Sequence, residues 1–207
     1  MKEILEELSK ELKLMTFYRF VEMPIDEGKK ACKEGLFSPG YLNFREELID
    51  LMQKTYGLNL KRDPYGKLLR FHWGSADIKI NGKNCRYFLS LTKHGVKPKW
   101  LSASLSNLLK FKISIPSERV VHFIDEIRED TLVVEANWEN GALYGNMEDE
   151  YTFLGYVIPP NFIKGFYYHD INLPIRNTPN CFLNAFFKNP SFNPFEKKEL
   201  KVRWCEI

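Results

Sequence analysis

The sequence has no apolar run long enough to span a membrane, and it has no cysteines at metal-binding spacing. Its four cysteines lie far apart, without a C-x-x-C pair or a zinc-type Cys/His pattern. We therefore expect no metal site and four reduced thiols in a cytosolic protein. A disulfide between Cys181 and Cys205 is the alternative if the protein is exported.

A strong excess of one charge is also lacking. The chain carries 30 Lys and Arg against 27 Asp and Glu, and basic residues cluster only in pairs such as Lys29 and Lys30. This balance neither demands nor excludes a nucleic-acid partner. The opening MKEILEELSKELKLM lacks the apolar core of a secretory signal. We expect a cytoplasmic location by default and no membrane partner, and delivery to another cell stays open.

Helical periodicity is concentrated in the first third of the chain. Ile4, Leu5, Leu8 and Leu12 fall at helical spacing and predict an amphipathic N-terminal helix. The segment IDEGKKACKEG predicts a second helix, with Asp26 as its cap and Gly35 as its stop. A third helix is expected from about Asn43 to Tyr56.

Strands dominate the rest. Turn residues within 59–84, including Asn81-Gly82, predict loops with a hairpin, whereas LSNLLKF predicts one or two helical turns. A short helical stretch is expected around Phe182–Phe187. The predicted strands are rich in aromatic and β-branched residues: TFYRFVEM, RYFLSLT, KWLSASL, RVVHFID, TLVVEA, YTFLGYVI and GFYYHD. This order predicts one α+β domain with antiparallel strands.

Three motifs carry polar groups into apolar segments. Arg19 lies within TFYRFVEM, where it either pairs with a core acid, reaches the sheet edge, or binds an anion such as phosphate. Ser102 and Ser104 in WLSASLS share one strand face. Glu148 and Glu150 in EDEYTF also share a face, or else form a solvated strand end together with Asp149. Each motif is weak evidence alone.

In the order Arg, Ser-x-Ser, Glu-x-Glu, these motifs resemble the Arg–Ser–Glu class of mono-ADP-ribosyltransferases, in particular the catalytic A subunits of cholera toxin and the heat-labile enterotoxins. YRFVEMPIDEGKKACKEGLFSPG is similar to the family's first strand and helix, and EDEYTFLGYVIPPNFIKGFYYHD to its Glu-x-Glu strand, proline turn and aromatic strand. The resemblance implies one catalytic domain over 1–207, with a motif-bearing core at about 16–170 and an extension at 171–207. It also implies two packed, mainly antiparallel sheets around an NAD cleft, with helices mostly N-terminal.

The resemblance assigns roles to the motif residues. NAD would be the substrate, without a metal. Glu150 would stabilise the oxocarbenium-like transition state, Glu148 would orient and deprotonate the acceptor, and Ser102 would hold Glu150 in place. NAD would be bound by Arg19 at its diphosphate and by Tyr18, Ser102 and Ser104.

The Glu-x-Glu form favours an arginine of a target protein as the acceptor, and a toxin or effector role. A nucleic-acid acceptor in a toxin–antitoxin or phage-defence system, with an antitoxin or immunity partner, is one alternative. A non-catalytic binding module with the same fold is the other.

The sequence also departs from the family pattern. Ala103 stands in the middle of the serine motif, and a long interval between Arg19 and Ser102 suggests an insertion within Phe44–Asn84. His72 and His94 are the candidates for the family's histidine. Aromatic candidates for the nicotinamide wall are equally typical of a core: Trp100, Phe111, Tyr151 and Phe153.

Overall fold

The computed structural model describes residues 13–48, 50, 51, 54, 57, 79–95, 107–135, 150–173 and 183–195. These residues form an α+β structure with a mainly antiparallel sheet and few helices, as the sequence predicts. None of the helices in this part of the chain is both long and apolar enough to cross a membrane. The α-helices are α1 (Ile25–Glu34) and α2 (Pro39–Phe44), and 3-10 turns lie at Arg45–Glu47, Ser117–Arg119, Ile124–Glu126 and Pro160–Phe162.

Twelve strands lie in the described residues, and eight of them form one sheet in the order β12-β11-β6-β1-β5-β9-β8-β7. Among these described strands only β7 and β8 pair in parallel; β2 pairs with β10, and β3 with β4. The strands are β1 (Leu14–Glu22), β2 (Leu36–Phe37), β3 (Lys79–Ile80), β4 (Lys83–Asn84), β5 (Leu89–Thr92), β6 (Leu108–Pro116), β7 (Val120–Val121), β8 (Val133–Glu135), β9 (Glu150–Phe153), β10 (Val157–Ile158), β11 (Ile163–Tyr168) and β12 (Ala185–Lys188).

The helices differ from the predicted ones. Pro24 stands at the N-cap of α1, so Asp26 lies in the first turn, where its charge favours the helix dipole; Gly35 ends the helix as predicted. Helix α2 was not predicted: it begins at Pro39, where the Ser38 hydroxyl accepts a hydrogen bond from the amide of Tyr41, and it ends at Phe44, where the third predicted helix was expected to begin. Described residues 48, 50, 51 and 54 are also helical.

The predicted helical turns in LSNLLKF are wrong for its last four residues, which open the nine-residue strand β6, whereas Asn107 lies in a 3-10 turn. Strand β6 lies between β1 and β11 and pairs along the whole length of β1. Its apolar residues, Leu109, Phe111, Ile113 and Ile115, are at most 1% exposed, whereas Lys110 and Lys112 are half-buried. The alternation of buried apolar residues with half-buried lysines, with a period of two, is therefore that of a strand.

The helix predicted around Phe182–Phe187 is also wrong. Its described part contains the edge strand β12, which pairs with β11 through Phe186 and Phe187. The Asn81-Gly82 hairpin is confirmed: both residues have positive φ, and they join β3 to β4. The predicted N-terminal helix, the strand KWLSASL and residues 58–78 lie outside the described residues.

The large sheet is continuous, whereas two separate packed sheets were expected. Its two halves are linked through β1 and β5, which share a single ladder pair, Tyr18 with Thr92. One apolar cluster includes residues of both halves, and the rings of Phe17 and Tyr151 meet at 5.0 Å. The junction of β1 and β5 therefore lies beside the core.

Candidate functional site

Arg19 lies directly beside the place where β1 and β5 separate. The two strands pair at Tyr18 and Thr92, and within the described strands the ladder does not continue to Arg19. The Arg19 Nη1 atom instead donates a hydrogen bond to the backbone oxygen of Ser90, at 2.7 Å. The guanidinium thereby connects the two strands where their backbones no longer pair.

The guanidinium of Arg19 is shielded from solvent. Its Nε atom is buried and has no hydrogen-bond partner among the described residues, although the residue as a whole is only half-buried. Burial, and then the positive charge of Arg86, lower the pKa of Arg19 to about 10, while the negative charge of Glu150 acts in the opposite direction. Arg19 thus remains protonated at neutral pH.

Glu150 is the first residue of β9 and is half-buried. It is the ladder partner of Thr92, which is in turn the partner of Tyr18. Tyr18, Thr92 and Glu150 therefore form one row across three strands, on one face of the sheet. The neighbouring Arg19 starts on the opposite face, yet its pKa responds to the Glu150 charge. The structure thus brings these two predicted site residues within electrostatic reach.

The ring of Tyr18 contacts the amine of Lys110. The Nζ atom of Lys110 lies over its ring, 5.3 Å from the centroid, and the same amine donates to the backbone oxygen of Gly95. Burial, and then the nearby Tyr167, raise the pKa of the Tyr18 hydroxyl. The predicted contact of Tyr18 with NAD stays a prediction.

Several predicted site residues lie outside the described residues: Ser102, Ser104, Glu148, His72 and Trp100. Their roles stay predictions, including the shared face of Glu148 and Glu150. His94 is described and exposed, and its amide donates to the Thr92 hydroxyl.

The remaining candidates for the nicotinamide wall are core residues. Phe111, Tyr151 and Phe153 are at most 2% exposed and belong to the central apolar cluster. They pack against other apolar side chains, as the core interpretation of the sequence expects.

Arg86 is the residue near this site to which the sequence analysis gave no role. It precedes β5, and its Nε atom is also buried without a hydrogen-bond partner in the described part of the chain. Arg19 was singled out because it stands in an apolar segment. The same reasoning would have singled out Arg86, which stands in the apolar segment CRYFL.

Comparisons with known proteins add no evidence on the function of these residues. No protein-family model matches the chain, and no curated protein matches it either. Among solved structures, EcPltA is similar with a TM-score of 0.35 and 11% sequence identity, over 76% of this chain and 78% of that one. A likeness this weak supports no argument about fold or function.

Proposed function

We propose that this chain is an NAD-dependent mono-ADP-ribosyltransferase that acts on an arginine side chain of a target protein. The observation that supports it best is the register of the sheet, which places Glu150 opposite Thr92 and Thr92 opposite Tyr18, next to Arg19, although β1 and β9 are far apart in sequence. A protonated guanidinium suits the diphosphate of NAD, and a nearby carboxylate suits the positive charge that develops on the ribose.

In the proposed reaction the bond between nicotinamide and the ribose carbon breaks, and nicotinamide leaves with the bonding electrons. Glu150 stabilises the resulting oxocarbenium-like ribose. A guanidine nitrogen of the acceptor then forms the new bond to the same carbon and loses its proton to a base. The sequence resemblance gives that last role to Glu148.

The decisive test is the substitution Glu150→Gln, which removes the charge and keeps the size. We expect nicotinamide release from NAD to fall on the order of a hundredfold or more, since one transition-state contact is lost. The matched control is Glu22→Gln at the exposed end of β1, which should retain activity. Equal activity of the wild type and Glu150→Gln would contradict the proposal, and an inert wild type would favour the binding-module alternative.

One observation favours nucleic acid as a second candidate acceptor. Phe186, Tyr167 and Lys110 are successive ladder partners on the sheet face that also carries Tyr18 and Glu150. The ring of Phe186 is 40% exposed and lies 4.6 Å from the ring of Tyr167. Aromatic rings between lysines on an open sheet face are typical of single-stranded nucleic-acid binding.

The two acceptors can be separated by labelling a lysate with a tagged NAD analogue and treating it with protease or with nuclease. Loss of label with protease alone supports the arginine acceptor. Loss with nuclease, together with weaker labelling by Phe186→Ala, would instead support the nucleic-acid acceptor.

A further inference from the structure

A small cavity opens between the start of α1 and the end of β11. Its volume is about 300 Å³, and its apolar lining includes Ile25, Tyr168 and Phe187. These three side chains are only partly buried and pack against the central core, where the ring of Phe187 lies 5.2 Å from the ring of the buried Phe166. The core therefore holds an apolar depression in shape at the protein surface.

Ile171 lies at the rim of the same cavity. Its side chain is 86% exposed, more than any other large hydrophobic residue in the described part of the chain. Single exposed apolar side chains are common on protein surfaces and need no explanation. An apolar side chain beside an apolar cavity is different, because one contact can remove both from water. The surface thus carries the two halves of an apolar contact.

The turn that carries Ile171 is fixed by hydrogen bonds. The side chain of Asn184 accepts from the amide of Asp170 at 2.7 Å and donates to the carbonyl oxygens of Asp170 and Leu173, both at 2.9 Å. The side chain of Asp170 accepts from the amide of Asn172 at 2.9 Å. A side chain on an ordered turn loses less conformational freedom on association than one on a loose loop. Ile171 is therefore presented to solvent in a defined position.

The lining of the cavity also carries charges of both signs. Lys29 lies one helical turn after Ile25, and its amine is 3.0 Å from the carboxylate of Asp26, with 46% of the lysine side chain exposed. Asp170 lines the same cavity. A surface with an exposed apolar side chain, an apolar cavity and both signs of charge is complementary to a copy of itself across a twofold axis. A second copy of this chain therefore satisfies every feature of the surface at once.

We propose that this surface, formed by the cavity and the turn at 170–173, binds a second copy of the chain in a twofold-symmetric contact. Ile171 of each chain fills the cavity of the other, and Lys29 of each chain lies near Asp170 of the other. The inference does not depend on the proposed function, because none of these residues belongs to the proposed NAD site.

Sedimentation equilibrium at increasing protein concentration tests the contact directly. We expect the mass of the wild type to rise from one chain to two. Ile171→Asp should weaken the association on the order of a hundredfold or more, since a twofold contact loses two apolar side chains at once. The matched control is Leu42→Asp, because Leu42 is 53% exposed and lies on α2, outside the lining of the cavity; it should associate as the wild type does. Urea unfolding at a dilution where all proteins are monomeric should give the same midpoint for Ile171→Asp and the wild type.

A pair of complementary variants tests the geometry of the contact. Lys29→Trp places a ring over the cavity and retains Ile171, whereas Ile171→Asp leaves the cavity open. Each variant alone should be monomeric, and an equimolar mixture should form a heterodimer that retains one of the two contacts. Three results would overturn the inference: a wild type that stays monomeric up to its highest soluble concentration, a dimer that Ile171→Asp leaves intact, or a mixture that associates no better than its components.

Discussion

The surroundings of individual side chains in this protein shift their pKa values. Arg19 has its pKa lowered to about 10 by burial, and at neutral pH it is still a cation. Between this pKa and the unfolded value of 12.5 the unfolded chain binds more protons, so this residue makes stability rise with pH in that window. Below it, the folded protein bears the cost of a buried charge, which an anionic ligand would offset.

The contribution of Cys32 to stability has the opposite dependence on pH. It is 1% exposed in α1, and burial raises the pKa of its thiol to about 12. Since the unfolded thiol ionises near 9, its contribution to stability is fully present below pH 9 and is lost as the pH rises towards 12. The thiolate is the reactive form, so the folded protein should protect this cysteine.

We therefore predict that Cys32 and Cys85, which are both buried, react slowly with a thiol reagent at pH 8. The measurement uses a variant in which Cys181 and Cys205 are replaced by serine. Adding urea above the unfolding midpoint should release both thiols at once. Rapid reaction of either thiol in the native protein would show that the packing around that cysteine opens readily.

At the level of elements, the backbone of α2 is in direct contact with the backbone of the segment before β5. The amide of Gly40 donates to the carbonyl of Arg86, and a Cβ atom at Gly40 would lie 2.5 Å from that oxygen. The backbone of Cys85 lies within 2.8 Å of the same position. Since these neighbours are backbone atoms, they cannot rotate away, and only glycine fits.

Gly40→Ala is thus expected to separate α2 from Arg86 and to destabilise the protein by about 1–3 kcal/mol, the usual cost of overpacking. Urea unfolding measures this effect. Leu42→Ala in the same helix is the control, since Leu42 is 53% exposed. A Gly40→Ala protein with wild-type stability would show that α2 moves freely.

The elements also show how far the sequence predicts this structure. Strand β1 and helix α1 were predicted within two residues at each end, because their apolar spacing and their proline and glycine boundaries agree. Strand β6 was not predicted at all, since the apolar run of LSNLLKF fits a helix as well as a strand. Its place beside β1 depends on pairing between residues distant in sequence, which local pattern does not contain.

The candidate site was predictable to a similar extent. Arg19 stands out in a strand, and the motif order singles out Glu150, but the interaction between their charges depends on β5 and β9 lying next to each other. Arg86 has no motif around it. Its buried nitrogen without a hydrogen-bond partner is a feature that only the folded arrangement reveals.

Over the whole molecule, one core unites the two halves of the sheet although a single ladder pair joins β1 to β5. Phe17 on β1 is fully buried, and its ring meets that of Tyr151 on β9, two strands away. Side-chain packing across the junction thus replaces much of the missing backbone pairing. The halves should consequently unfold together.

Phe17→Ala tests this coupling. It removes the ring at the junction and should lower the free energy of unfolding by about 3–5 kcal/mol. Phe123→Ala is the matched control, because Phe123 is 44% exposed, and it should cost far less. Far-ultraviolet circular dichroism and tyrosine or tryptophan fluorescence, both followed in urea, should give coincident single transitions in the wild type. Two separate wild-type transitions, or equal losses in the two variants, would mean that the halves are independent and that the junction beside Arg19 is not held by the core.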